Sequence, residues 1–347
     1  MSAEVLRVLL VDPGPGLGEA LAVALARLGS QVFWAGAEPP PEGLRGLRRI
    51  PGGRAALAEG LPLPPGGFDA AVDLGAAGPD GPRALAQALR GRVGLVVQLG
   101  TWQVYAGAED APDCTAEPRL GHEEGLWDVP PLPVGEAAPK QDGEALAAED
   151  ALWQERSRGD YPAAVLRLAA LYGPGVPMAR EWYVVARAKA GRRRLAVPDG
   201  GRHLLHRLFV DNAVHAILAA LAHPREVDGH AFNVGDSHVP TAAALCRQIG
   251  RALDRPVEPV GVSPADWPLL PWAVPRPVVL DTLALRARLG YAEPVPPEEG
   301  LLRTVRWLWD LPEVEVPRRL APYLARWACA HDFAAEDAAL RRAGAVE

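Results

Sequence analysis

Lysine is almost missing from this chain. Of 36 basic residues only Lys140 and Lys189 are lysines, and the rest are arginines. A relay that depends on lysine can therefore stand at two places only. Four residues before them stand Glu136 and Val185, so no tyrosine precedes a lysine by one helical turn. Cysteine is as sparse: Cys114, Cys246 and Cys329 are far apart and outside any metal-ligand spacing. Odd in number and without metal-ligand spacing, they lead to the expectation of a reducing compartment. No apolar run reaches the roughly 20 residues that a membrane helix needs. No basic, then apolar, leader opens the sequence, so a soluble cytoplasmic protein is expected. A net charge of -7 lacks the basic face that general nucleic-acid binding requires.

What is present is a full core. Apolar residues make up 49% of 347 residues, enough for one large or two modest domains. Val5 to Val11 is an apolar run that ends in Asp12-Pro13-Gly14-Pro15-Gly16-Leu17-Gly18. Ala20, Leu21, Ala24, Leu25 and Leu28 follow at helical spacing, Gly29 stands where a helix would end, and Gln31 to Ala35 reads as a second strand. A strand, glycine turn, helix and strand open a doubly wound α/β sheet. Phe68 to Leu74, Val93 to Leu99 and Ala163 to Leu171 are further continuous apolar runs, as strands buried on both faces show. Helices are expected over about 82–91 and 141–158, with a loop over 106–140. Beyond 175 helices and short strands alternate, and 316–343 reads as two helices. The expected fold is a Rossmann-like doubly wound parallel sheet with a smaller mixed α/β C-terminal substrate domain. Its expected bounds are 1–175, 176–315 (with about 205–234 returning to the first domain) and a helical extension, 316–347.

A glycine turn between strand and helix suits a pyrophosphate, because glycine admits close approach and the free N–H groups and helix dipole favour anions. Here Gly16 precedes Gly18 by two residues rather than three, and Pro13 and Pro15 stand beside it. The alternative is a plain turn in a sheet that holds no dinucleotide. Gly14, Gly16, Leu17 and Gly18 are the cofactor candidates at this turn. Glu38 is the nearest acid for a ribose hydroxyl, and Arg45, Arg48 and Arg49 would suit a 2′-phosphate. NAD and NADP both stay open.

The order of several segments resembles the extended short-chain dehydrogenases, the NAD-dependent epimerase/dehydratase group, over roughly 5–310. Val96-Val97-Gln98-Leu99-Gly100-Thr101-Trp102-Gln103-Val104-Tyr105 is similar to that group's Ser/Thr-bearing strand. Leu166 to Gly175 resembles its Leu-Arg…Tyr-Gly-Pro-Gly stretch. Phe68 to Leu74 with Gly75-Ala76-Ala77, His206 to Asn212, Phe232 to Asp236 and Leu289-Gly290-Tyr291 match further junctions. The resemblance implies an epimerase, dehydratase or reductase acting on a nucleotide sugar or similar polar metabolite. It implies NAD or NADP against Gly75 and Ala76, and a homodimer paired through the helices near 82–91 and 141–158. It places Thr101 in the catalytic Ser/Thr slot. Counting back from Glu149 puts Ala145 in the lysine slot and Gln141 in the tyrosine slot. A tyrosine acting near pH 7 must drop roughly three pKa units, about 4 kcal/mol, which a neighbouring cation supplies. Gln141 and Ala145 supply neither proton nor charge. Lys140, Tyr105, Glu144 and Asp142 are the candidate substitutes, each with a structural alternative. Gln141, Tyr172, Arg180, Trp182 and His206 are the candidate substrate contacts. His203, His206 and His215 lack a carboxylate at ligand spacing, so no metal is expected. Two other readings stay open: a non-catalytic NAD(P)-binding sensor or scaffold, and a cofactor-independent cyclase or isomerase.

Overall fold

The computed structural model describes residues 6–40, 46–59, 65–75, 78–105, 143–159, 161–274 and 277–345. Lys140, Gln141, Asp142 and Ala76 lie outside them. In chain order the elements are β1 (Arg7–Val11), α1 (Leu17–Arg27), β2 (Gln31–Gly36), β3 (Leu47–Pro51), α2 (Gly53–Ala58), β4 (Ala70–Asp73), α3 (Asp80–Leu89) and β5 (Val96–Thr101). Then come α4 (Glu144–Arg158), β6 (Ala163–Leu168), β7 (Ala170–Tyr172), α5 (Trp182–Lys189), β8 (Arg194–Pro198), β9 (Arg207–Phe209), α6 (Val210–Ala222), α7 (Pro224–Val227) and β10 (His230–Val234). The chain continues with α8 (Ala242–Ala252), β11 (Glu258–Val262), α9 (Leu283–Leu289), α10 (Pro297–Asp310), α11 (Val316–Arg319), α12 (Ala321–Trp327) and α13 (Phe333–Arg342).

Seven strands form one parallel sheet in the order β10-β6-β5-β4-β1-β2-β3. The apolar runs fill its centre. Val8, Leu10, Val32 and Trp34 face one side with Leu21 and Leu25 of α1, while Leu9, Val11 and Phe33 face the other with Leu85 and Leu89 of α3. The order reverses between β1 and β4, and in open sheets of this kind the crevice beyond the strand ends at that reversal is where ligands bind. Two small parallel pairs, β8 with β11 and β7 with β9, lie outside the main sheet.

Where expectation and structure differ, the cause is local. β3 was not read as a strand because its sequence, Leu-Arg-Arg-Ile-Pro, carries two adjacent arginines; it lies at the sheet edge, where one side of the strand meets water. The run 163–171 is two strands: the Ala169 N–H still donates to Val234 of β10 at 2.9 Å, while the Ala170 N–H donates to His206 at 3.0 Å and Ala170–Tyr172 pairs with β9. The last stretch is three helices rather than two.

That C-terminal stretch is fixed by a buried ion pair. Arg187 of α5 and Glu336 of α13 are both fully buried, with Nε to Oε1 at 2.9 Å. The guanidinium also donates to the carbonyls of Tyr183 and Ala330, each at 2.7 Å, and the Glu336 carboxylate accepts from the Ala196 N–H at 2.9 Å. Removing one partner leaves a desolvated charge, which costs roughly 3–5 kcal/mol. Glu336→Gln should therefore lower the unfolding free energy by about 3 kcal/mol in urea titration. Arg187→Met combined with Glu336→Leu should recover most of that loss.

Candidate functional site

Asp12 closes β1 and Asp73 closes β4, the two strands on either side of the reversal. Asp12 adopts φ 47°, in the left-handed region that glycine takes without strain. Between the two carboxylates lies Arg54, from the first turn of α2. Its Nε donates to Asp12 at 2.9 Å, and its terminal nitrogens make a two-point contact with Asp73, one of them at 2.8 Å. The Arg54 N–H also donates to Asp12, at 3.2 Å. Asp73 is 1% exposed, so its charge is matched by this one guanidinium. A side-chain carbon on Gly75 would meet the Asp12 side chain at 2.7 Å, so Gly75 is required where the two strand ends close.

The turn that follows packs against the protein itself. A side-chain carbon on Gly16 would lie 3.0 Å from the Gly175 backbone, and one on Gly18 would lie 2.8 Å from Pro13. Pro13 and Pro15 have no N–H to offer an anion. Two cavities lie on either side of this contact, and Pro15 and Pro177 line both. The first, of about 500 Å³, holds Gly14, Trp34 and Glu38, with Arg318, Arg319 and Pro322 of the C-terminal helices along its wall. The second, of about 440 Å³, sits over the ends of β5 and β6. A dinucleotide would have to span both. Glu38 lines the first cavity, and at the turn between the two Pro13 and Pro15 bring no N–H toward a diphosphate.

The larger part of the chemistry lies in the second cavity. Its polar lining is Gln98, Thr101, Gln103 and Arg180; Leu17, Ala145, Leu168, Ala169 and Ala170 are among the apolar groups. The Thr101 hydroxyl accepts from the Gln103 N–H at 3.3 Å and donates to the Gln103 carboxamide at 3.4 Å. Arg180 is 7% exposed; its Nε donates to the Pro271 carbonyl at 2.9 Å and its guanidinium packs 5.2 Å from the Trp327 ring. Among the described residues no Asp, Glu, His, Cys, Tyr or Lys lines this cavity. Groups able to exchange a proton near neutrality are therefore missing from that part of the lining.

Of the expected contacts, the structure brings Thr101, Arg180 and Leu17 together here. Four others are engaged elsewhere. Tyr105 is 1% exposed; its hydroxyl donates to Asn233 at 2.8 Å and accepts from Arg167 at 3.0 Å, so it braces β5 against β10 instead of facing a ligand. Tyr172 donates to Asp236 at 2.7 Å, and burial raises its pKa well above the usual tyrosine value. Trp182 is buried under the Lys189 ammonium, 5.9 Å from its ring. His206 accepts from the Leu280 N–H at 2.9 Å, so its other nitrogen carries the proton and donates to the Asp236 carbonyl at 2.6 Å. Gln98, Asp12, Asp73 and Arg54 were not foreseen as site residues. Gln98 did carry a signal, a lone polar residue in an apolar strand. Among the described residues no cluster of His, Cys, Asp or Glu could hold a metal, and no helix is long and apolar enough to cross a membrane.

Burial lowers the His206 pKa to about 4. The unfolded chain takes up this proton near pH 6.5 and the folded one only near pH 4. Between those values the unfolded state binds more protons, so stability falls as pH falls, by about 3 kcal/mol from this residue once pH reaches 4. Unfolding titrations from pH 7 to 4 should show that slope reduced in His206→Gln, even if the variant is weaker at pH 7.

Comparison with known proteins agrees on the fold. No curated protein matches the chain. UDP-glucuronic acid 4-epimerase from Bacillus cereus, solved with UDP-glucuronic acid and NAD, is 14% identical, with 87% of this chain and 99% of that chain covered and a TM-score of 0.66. UDP-glucose 4-epimerase from Thermotoga maritima, solved with UDP-glucose, is 18% identical over 87% of this chain and 98% of that chain, TM-score 0.66. An epimerase from Methanothermobacter thermautotrophicus is 17% identical over 88% of this chain and 92% of that chain, TM-score 0.64. At these identities the likeness is one of fold: a Rossmann-like parallel sheet with flanking helices. Residues 144–235, from α4 to the end of β10, match the model of the NAD dependent epimerase/dehydratase family.

Proposed function

We propose that the chain is a small-molecule-binding protein on the epimerase/dehydratase fold that works without the hydride-and-proton chemistry its resemblance implies. The observation that supports this reading most is the lining of the 440 Å³ cavity, where the described residues offer Thr101, two glutamines and an arginine but no proton-exchanging group. Ala145, in the lysine slot assigned by resemblance, lines that cavity. Gln141, in the tyrosine slot, has an amide side chain. The described residues of this site can orient a polar ligand through hydrogen bonds but supply no relay to protonate or deprotonate it. Pro13 and Pro15 in the glycine turn support the same reading, because neither has an N–H to offer a dinucleotide's diphosphate.

A second reading is favoured by the family-model match and by Thr101 on the cavity wall: an NAD-dependent epimerase or dehydratase acting on a nucleotide sugar with an unusual proton donor. The solved neighbours hold NAD or UDP-sugars. In this chain the donor would have to come from 106–142, where Lys140 stands.

Calorimetric titration with NAD, NADH, NADP and NADPH separates the two. The first reading expects no heat of binding at millimolar dinucleotide. Saturable binding of any of the four, with a dissociation constant in the micromolar range, would sink it and leave the second standing.

A further inference from the structure

Gln98 is 1% exposed, yet its carboxamide oxygen has no hydrogen-bond partner. Buried polar groups are nearly always paired, and an unpaired one in a cavity wall marks a place for a ligand. The strands beside it supply no donor. On β4 its neighbour is Asp73, an acceptor held by Arg54, and on β6 it is Val165, which is apolar. Gly100, Ala145, Ala169 and Ala170 line the same cavity and leave the space open. Thr101, at the end of the same strand, is loosely held: it exchanges hydrogen bonds with Gln103 at 3.3 and 3.4 Å, both longer than an ordinary hydrogen bond. Most of the remaining described lining is apolar, with Leu17, Leu74, Leu99, Leu168, Leu171 and Met178.

We propose that this cavity binds a small neutral alcohol with an apolar body, whose hydroxyl hydrogen-bonds the Gln98 carboxamide. A hydroxyl both donates and accepts, so it meets either end of the amide group. Thr101 takes the hydroxyl's remaining capacity, and the leucines and Met178 cover the hydrocarbon. A polyol would leave most of its hydroxyls stripped of water against leucine. Arg180, engaged by the Pro271 carbonyl and the Trp327 ring, has no part in this recognition. A volume of about 440 Å³ lies toward the small end of ligand sites, roughly 300–1,000 Å³, and suits one molecule of this class. The inference rests on the reading of the chain as a small-molecule binder and adds the ligand's chemistry to it.

The test titrates the full chain with benzyl alcohol, cyclohexanol and 2-naphthol, followed by saturation-transfer NMR. Each is set against the hydrocarbon that lacks the hydroxyl (toluene, cyclohexane and naphthalene), with glucose as the polyol. At least one alcohol should bind, its hydrocarbon should bind about tenfold more weakly, and glucose should not compete. Gln98→Leu should weaken the alcohol about tenfold, the loss of one hydrogen bond, and leave the hydrocarbon's affinity unchanged. It should also raise the melting temperature of the free protein by removing an unpaired buried group. Gln98→Met, closer in length, should give the same pattern if the leucine variant folds poorly. Equal binding of alcohol and hydrocarbon, competition by glucose, or an unchanged alcohol affinity in the folded variants would overturn the inference. So would failure of all three alcohols to bind the wild-type protein at millimolar concentration. Dinucleotide binding, read in the separate titration above, would instead count against the underlying reading.

Discussion

Arg54 holds together the place where the sheet changes direction. Asp12 and Asp73 end neighbouring strands, and both carboxylates would repel each other across the crevice without a cation between them. The guanidinium's fork matches a carboxylate in two-point geometry, which a lysine could not do. Two neighbouring features go with that bridge: Gly75 must be glycine so that its strand end can approach Asp12, and α2 begins beside β1, where the Arg54 N–H reaches Asp12.

The same economy of partners runs through the C-terminal half. Arg187 and Glu336 bind α13 to α5 and β8, and this anchors α11 and α12 over the glycine turn. Trp327 at the end of α12 lies against Arg180, so the helical extension reaches the ligand cavity through a ring-to-guanidinium contact. The extension is thus a wall of both cavities' surroundings: Arg318, Arg319 and Pro322 line one, and Trp327 supports the cation of the other. A buried ion pair adds little net stability over apolar packing, but it sets a unique register for helices that could otherwise slide.

Much of the fold was legible because parallel strands buried on both faces give continuous apolar runs, as at Val8 to Val11, Val96 to Leu99 and Ala163 to Leu168. The edge strand β3 was not, because an exposed edge relaxes that pattern and admits Arg48 and Arg49. The site was harder to read for a different reason. Tyr105, Tyr172 and His206 look like reactive groups in the sequence, yet their partners Asn233 and Asp236 lie far along the chain, and only the folded sheet shows that their hydrogen bonds are already satisfied. Asp12, Asp73 and Arg54 are ordinary charges in isolation and form a unit only when β1, β4 and α2 converge. Thr101 and Arg180, singled out through the resemblance, do line one cavity.

What remains is a Rossmann-like parallel sheet with an arginine bridging the ends of β1 and β4, and a cavity whose described polar lining is Gln98, Thr101, Gln103 and Arg180. Cofactors held tightly across such a sheet travel with the protein through purification. Native mass spectrometry of the chain as purified tests the proposed reading directly. A protein that holds no dinucleotide predicts a species at the chain's own 36.9 kDa. A dominant species heavier by a whole dinucleotide would contradict it.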